Sequence, residues 1–566
     1  MKQSQLLYSL LIGSTFCFGH AMAQEAVHGT ITAGGGVGTA TPWEGDIKLS
    51  IPTSAVRISP YLSLQGITHQ SSKTEDDRLF RYSKSGNVYE SNQELKSEGF
   101  DLKYGTTALF PLRSGSFNIL FEGQHHQQET TGWWNESVTD SKHDMLSHVQ
   151  SNVSMPHQDW DQYRAGAGFT RQGFHVEYAY QYRNAHNAFK QDILQGHAGN
   201  AFLANDRDGE TSTHNHHAKM TQSFRPAKGQ QLTVGVDWVR NSIGQEHLQN
   251  VSSEGGSHKY TPRFDHRYQT HSAFMEYRYA YASVKAMARL EYAYTHMRYE
   301  GEGNDFTSDA NRIKRSWNLN DLIPQVHLEW GVRQGDTLTA DYRMIIKRPD
   351  IDVLDPTHIH GAYTIDYGNA DLEGIHINNV SLAYRIHRNR FDYTTTLGGI
   401  IVEDGFNAIW MEKDNVRIST WGNEGVRRAY SVTPRLRWQA AERTSLTAQA
   451  TLLWDKRIAR AISMQKEHWG ITAQAAIVQT LAPGCILNVH GQYSEGNTID
   501  LYSHESRSYG AGASLQKALP HNVSLAIGYD YQEHAKAILT QGAYTGYFFN
   551  RPGSHHNAWL KIGYKL

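Results

Sequence analysis

The sequence predicts an all-β fold, a large transmembrane antiparallel β-barrel of about 22 strands, within a range of roughly 20–24. Three observations lead there. The chain begins with an export signal and has no later helical span, long segments alternate with period two, and the connections alternate between very short and long.

The amino terminus carries Lys2, an apolar run from Leu6 to Phe18, and small residues Ala21 and Ala23 before Gln24. That is the pattern of a secretory signal peptide, expected at residues 1–23. No other stretch approaches the roughly 20 consecutive apolar residues of a spanning helix. Residues 24–566 are therefore expected to form one outer-membrane β-barrel with long external loops and no plug domain. Of the two cysteines, Cys17 sits in the signal segment without the approach sequence of a lipidation site, and Cys485 has no partner in the mature chain. A disulfide framework and a cysteine-built metal site are both excluded.

A formal net charge of −2 argues against a nucleic-acid partner. The mean hydropathy of −0.59 is that of a soluble protein. A barrel reconciles this polarity with a membrane, because only every second residue of each strand meets lipid. The abundance of Tyr (31), Gly (49) and Trp (13) against 14 Pro suits strands with aromatic girdles and few breakers.

The alternation is clear where Leu446, Ala448, Ala450, Leu452 and Trp454 interleave with Ser445, Thr447, Gln449 and Thr451. Tyr430, Val432, Leu436 and Trp438 repeat it against Arg435 and Arg437; Val176, Tyr178, Tyr180 and Tyr182 against Gln181 and Arg183; Leu290, Tyr292 and Tyr294 against Arg289 and Glu291. These runs have the length of tilted membrane strands rather than sandwich strands of about 5–6 residues. Short turns are expected at 52–53, 111–115, 171–173, 225–229, 281–283, 331–335, 387–389, 440–442, 481–484 and 518–521. Polar excursions fall between them at 70–97, 130–159, 187–213, 243–267, 349–373 and 535–555. Short periplasmic turns and long external loops are the habit of outer-membrane barrels. The segment 404–426 has room for an extra hairpin. At the carboxyl end Ala558, Leu560, Ile562 and Tyr564 share one face, which reads as a closing strand presented to the barrel-insertion machinery.

One region also carries a family likeness. Tyr342-Arg343-Met344-Ile345-Ile346-Lys347-Arg348-Pro349, then Leu354-Asp355-Pro356, then Tyr367-Gly368-Asn369-Ala370-Asp371-Leu372 resembles the barrel signature of TonB-dependent receptor-like outer-membrane β-barrels of Bacteroidetes type. The chain departs from that signature at Asp355, Ala370, Gly374 and Ile375. Thr420 to Gly425 followed by Tyr430 to Trp438 resembles the next hairpin of the same family. The resemblance implies a transport or receptor-like barrel and supports fold rather than substrate. Receptors of that family carry a plug ahead of the barrel, whereas 28–39 already reads as a first strand. A pore, or an importer working with a separate plug or lipoprotein partner, is therefore expected.

Motifs for chemistry are sparse. Gly34-Gly35-Gly36-Val37-Gly38 lacks the lysine and helix of a phosphate cradle and reads as a closely packed strand. No nucleophile elbow is present, so no catalytic residues and no cofactor are assigned, and an enzyme is not expected. The 31 histidines are the compositional oddity. Among them His214, His216, His217, His358 and His360 are candidate metal ligands, with metal or haem capture through His-rich external loops as one alternative function. The plainer reading makes them polar loop residues. Arg183, Lys285, Arg289, Glu291, Arg435 and Arg437 are assigned to a polar lumen. A structural or assembly component of the Gram-negative outer membrane is the other alternative, with outer-membrane lipids as its surroundings in every case.

Overall fold

The computed structural model describes residues 28–565 apart from 39–41, 53–55, 68–72, 83–84, 143, 198–201, 254–255, 303–311, 356–358, 361–363, 414–415, 461, 499–502, 534–536, 540–543 and 550–553. The signal segment expected at 1–23 and the tip of the first hairpin lie outside the described residues. Twenty-two strands pair in sequence order, each antiparallel to the next, and form a closed wall. Closure comes from the first strand, His28–Gly38, which pairs both with Pro42–Pro52 and with the last strand, Ser554–Lys565. The glycine run lies in that seam, with Gly34 opposite Lys561 and Gly36 opposite Trp559. Closing the sheet leaves the wall no open edge, as hydrocarbon demands.

Every short turn expected from the sequence falls between two paired wall strands. Several of these turns need left-handed backbone. Gly335 has a φ of 79°, and a Cβ there would lie 2.3 Å from the His387 carbonyl oxygen. Gln172 and Gly173, at 47° and 85°, form a pair of the kind that matches strand twist in two-residue hairpins.

The inside and outside of the wall follow from alternation. On Val284–Glu302, Leu290, Tyr292 and Tyr294 are exposed on the outer face, while Ala293, Thr295, Met297 and Tyr299 are buried on the inner one. The outer face also shows where the membrane ends. The Tyr294 hydroxyl donates to Asn318 Oδ1 at 2.9 Å, the Tyr180 hydroxyl meets His214 Nδ1 at 2.9 Å, and Tyr430 stacks on Trp454 with ring centroids 5.6 Å apart. Rings in the apolar layer with their polar tips bonded above mark the headgroup level.

Beyond that girdle the wall continues. Val88–Leu112 and Gly115–Thr139 pair over all 25 residues, a length of roughly 80 Å along the strand at 3.3 Å per residue. The excursions expected as loops are thus largely strand. At 404–426 there is no additional hairpin among the described residues. Phe391–Lys413 and Val416–Ala441 stay paired, with register shifts at Val402/Gly405 and Gly405/Asn407, so bulges absorb the irregular residues. Short strands extend the wall further: Met145–Met155 pairs with the outer part of Gly115–Thr139 and with Phe174–His197. The 130–159 segment, with Trp133, Trp134 and Trp160, looks from its sequence like the best candidate to fold into the lumen. It instead builds wall, because both edges of its second strand find partners.

Candidate functional site at the external mouth

The segment that does fold inward is 349–373, the one that carries the family-like signature. Phe264 lies on the face opposite the lipid-exposed Met275 and Tyr277 of its strand, Ile243 opposite Val234 and Val236, and Tyr299 opposite Tyr292 and Tyr294. These three inner-wall residues form one buried cluster with Leu354, Ala370 and Leu372 of the segment, flanked by Trp317, Phe406 and Trp421. Leu354 and Leu372 are 0% and 2% exposed. Burial of such side chains contributes about 1.5–3 kcal/mol each, which sets the scale on which the segment is held.

Each signature residue has a local task. Chain reversal after Arg348-Pro349 begins with the single helical turn Ile351–Leu354. Gly368 N–H donates to the Asp355 carbonyl at 2.5 Å and Asn369 N–H to the Val353 carbonyl at 2.7 Å. A Cβ at position 368 would stand 2.5–2.7 Å from the Asp355 and Val353 backbone, so the close approach requires glycine. Asn369 Nδ2 donates to the Trp421 carbonyl at 2.8 Å, and its Oδ1 accepts the Asp371 N–H at 2.9 Å. Asn423 Oδ1 accepts the Glu373 N–H at 2.7 Å while its Nδ2 donates to the Glu373 and Asp404 carbonyls. Thr364–Asp366 adds a parallel pairing with Arg417 to Ser419. The two signature stretches, far apart in sequence, are the two halves of one docking interface.

Both stems of the segment meet one carboxylate. Asp321, on the inner face of Arg312–Arg333 and 6% exposed, pairs with Arg348 at the first stem and accepts His376 Nε2 at 3.0 Å at the second. Gly374 makes room for this clamp, since a Cβ there would meet the Arg348 guanidinium.

The wall beneath the segment is basic and imidazole-rich, and the segment faces it with carboxylates. His247 Nε2 lies 4.0 Å from Asp355 Oδ2, and Arg417 lies 3.8 Å from Asp366. His247 and Arg417 stand on strand extensions beyond the girdle. Burial, with the Arg207 cation adding to it, pulls His247 down to about 4. Burial also takes His266 to about 4, the Asp350 carboxylate acting in the opposite direction. Arg207 is lowered by burial to about 10, and burial raises the Tyr299 hydroxyl. His266 is 1% exposed, and among the described residues neither ring nitrogen has a hydrogen-bond partner; the Tyr299 hydroxyl beside it has none there either. Groups in this state keep the neutral form and favour the packed segment only while they stay uncharged.

The residues assigned to the lumen take different roles. Arg289 pairs with Glu291 at 2.5 Å and its guanidinium covers the Phe274 ring at 3.7 Å; Lys285 pairs with Glu329 at 2.7 Å. Arg183 stacks over Trp160 at 4.7 Å. Arg435 and Arg437 are exposed, and neither makes an ion pair within the described residues. Among the described residues the candidate metal ligands do not converge. His214 and His216 face outward, where the Tyr180 and Tyr178 hydroxyls meet them at 2.9 Å, whereas His217 faces inward to Asp237 at 3.0 Å. They lie within the strand Phe202–Phe224 at the girdle, not in a loop. His358 is outside the described residues, and of His360 only its place in the short strand Ile359–His360 is described. Sequence reading missed Asp321, His247, His266 and Arg207. The available signal was their inward parity on runs longer than a membrane needs.

Comparison with solved structures finds the same wall elsewhere. The siderophore receptor PiuA from Acinetobacter baumannii aligns with a TM-score of 0.62 at 9% identity, covering 96% of this chain and 82% of that one. A ferric enterobactin receptor from Pseudomonas aeruginosa gives 0.61 at 12% over 96% and 82%, and the ferric yersiniabactin uptake receptor FyuA from Yersinia pestis 0.61 at 9% over 96% and 80%. These likenesses are of fold. Comparison with curated proteins gives no match. The model of the outer membrane protein beta-barrel family matches residues 169–530, well over half of the chain. A closed 22-strand wall, a girdle at the headgroup level and that match agree: the chain belongs to the outer membrane protein beta-barrel family, and its place is the Gram-negative outer membrane.

Proposed function

We propose that this barrel is a transport conduit whose external mouth is covered by the 349–373 segment, and that a separate chain supplies the plug of its lumen. The observation that carries this reading is the docking of Leu354, Ala370 and Leu372 on the inner wall, which holds the described part of the segment inside the wall. The exposed Arg435 and Arg437 and the ion pairs of Lys285 and Arg289 give the lumen below it a charged lining. A lumen of 22 strands is wider than that of a porin. Of the solved structures that share the wall, FyuA is described as an uptake receptor, PiuA as a siderophore receptor and the Pseudomonas aeruginosa protein as a ferric enterobactin receptor.

Two measurements test the proposal. Lys347 and Ile375 are cross-strand partners, so 351–372 can be replaced by a short Gly-Ser linker without disturbing the wall. In planar bilayers the deletion is expected to conduct more than the intact chain, and the native complex is expected to copurify with a second chain. A large, steady conductance of the intact chain alone, unchanged by the deletion, would identify an open pore and overturn the reading.

A further inference from the structure

One ladder of the closed wall ends early. Arg312–Arg333 and Asp336–Lys347 pair from their periplasmic turn up to Gln325 and Arg343, and no rung between them follows. Beyond that point Arg312 to Pro324 pair only with Val284–Glu302, and Met344 to Lys347 only with Ile375–Arg388. Among the described residues no other strand enters the gap. Pro324 stands where the ladder stops, and a proline, lacking the N–H of a ladder donor, belongs at a sheet edge.

The gap starts at membrane depth. Pro324 shares a rung with Leu290 and Leu322 with Tyr292, whereas Asn320, two residues farther, accepts the Tyr292 hydroxyl at 2.7 Å. From Pro324 to Asn320 a tilted strand rises about 10 Å, so the parting opens in hydrocarbon and continues upward through the headgroup layer. Exposure on the outer face of the strand rises with it, from 40–47% at Val326, Leu328 and Trp330 to 57% at Leu322. Unpaired strand edges at this depth are costly unless protein or a water-filled cavity lies behind them.

Protein lies behind this one. His376 has the outward parity of Val380 on its own strand, yet its Nε2 lies 3.0 Å from Oδ1 of Asp321, on the inner face of Arg312–Arg333. The ends of Asp336–Lys347 and Ile375–Arg388 have therefore swung behind that strand, and Asp321 holds them there through Arg348 and His376. The lumenal side of the gap is cationic. Arg343 and Lys347 have inward parity and are exposed, and neither makes an ion pair among the described residues. The nearby Asp341 is taken by His327 at 2.6 Å.

We propose that this parting is a lateral portal through which an amphiphile with an apolar tail and an anionic head passes between the outer leaflet and the lumen, and that the Asp321 clamp holds it shut. The inference rests on the transport reading above. The tail slides past Leu322 and Pro324 at the depth of the acyl chains, while the head keeps to the level of Asn320 and faces Lys347 and then Arg343 inside. Passage breaks no strand pairing, because the ladder has already ended.

The test uses the full barrel in nanodiscs of phosphatidylcholine, with the cysteine of the mature chain removed by Cys485→Ser. A single bimane label is placed at Ile345→Cys, on the lumenal side of the gap, or at Thr447→Cys, elsewhere in the lumen. Quenching by a spin-labelled fatty acid reports arrival of the amphiphile, with spin-labelled phosphatidylcholine as the comparison. Asp321→Asn removes the charge-assisted bonds of the clamp and should raise quenching by the fatty acid at position 345 about tenfold, while position 447 stays dark to it. Heat-modifiable migration reports folding of each variant. Equal quenching at both positions would mark entry through the mouth and overturn the proposal, as would equal quenching by the two lipids or no quenching at position 345 in either clamp state. The gap itself is checked by oxidation: Gln325→Cys with Arg343→Cys should cross-link and Leu322→Cys with Ile346→Cys should not, whereas cross-linking of both pairs would show a complete ladder. If deletion of 351–372 raises conductance but the clamp variant gains no quenching, the conduit stands and the portal falls.

Discussion

Replacing Ile477 with arginine places a guanidinium on the lipid face, in the rung of Leu446 and Val489. Ile477 is 44% exposed on the outer surface and stands five positions before Ala482, the end of its strand at the periplasmic turn. Five residues at about 3.3 Å and a tilt near 40° raise it about 12 Å, half of an apolar band about 25 Å tall. At that depth the cost of arginine is about 2–4 kcal/mol, and it declines to about 0–1 kcal/mol at the interface. Leu452 supplies the internal comparison, since it lies one rung below Trp454 and its arginine reaches the headgroups. Thr447 faces the lumen, opposite Arg437, and its arginine meets water. Urea unfolding of the barrel in lipid vesicles, with each variant refolded under one condition, should rank Ile477→Arg well below Leu452→Arg and Thr447→Arg. Equal midpoints for Ile477→Arg and Thr447→Arg would refute the assignment of inside, outside and depth together.

Further outcomes follow from the same structure. A tag inserted in 535–555 should be labelled on intact cells, while one in 518–521, at a periplasmic turn, should not; reversed labelling would invert the topology. Asp321→Asn should free both stems of the inward segment at once and open the segment to proteinase K, with the wall still folded by heat-modifiable migration. Acid should release the segment. His247 and His266 are held neutral with values near 4, below the ordinary 6.5, so the packed form binds fewer protons than the released one. Packing is therefore full above about pH 6.5, weakens as pH falls, and has lost on the order of 3 kcal/mol per histidine by about pH 4. Conductance rising across that window, with a smaller rise in His266→Phe, is the expected record; a flat profile would show that neither histidine is buried in the closed state.

Period-two alternation determined much of this protein without help from the third dimension. Whether Leu452 or Thr447 meets lipid is settled by parity, because a strand presents successive residues to opposite faces whatever surrounds it. Turn residues such as Gln172-Gly173 and Gly335 likewise announce themselves, since their backbone demand is local. Strand number followed from counting those turns. What alternation cannot convey is how far a strand runs past the membrane or what covers its inner face. Beyond the girdle no hydrocarbon enforces apolar partners, so 187–213 reads as loop although the described parts of it are largely paired, and His214 and His216, at the girdle beside it, read as ligands although they cap tyrosines. The inward fold of 349–373 was decided by tertiary structure alone. Its anchors Ile243, Phe264 and Tyr299 come from three strands, its clamp Asp321 from a fourth, and its dock Trp421 to Asn423 from the following hairpin. The signature could be recognised in the sequence, but its physical meaning, two distant stretches closing on each other over a basic wall, exists only once the barrel has closed.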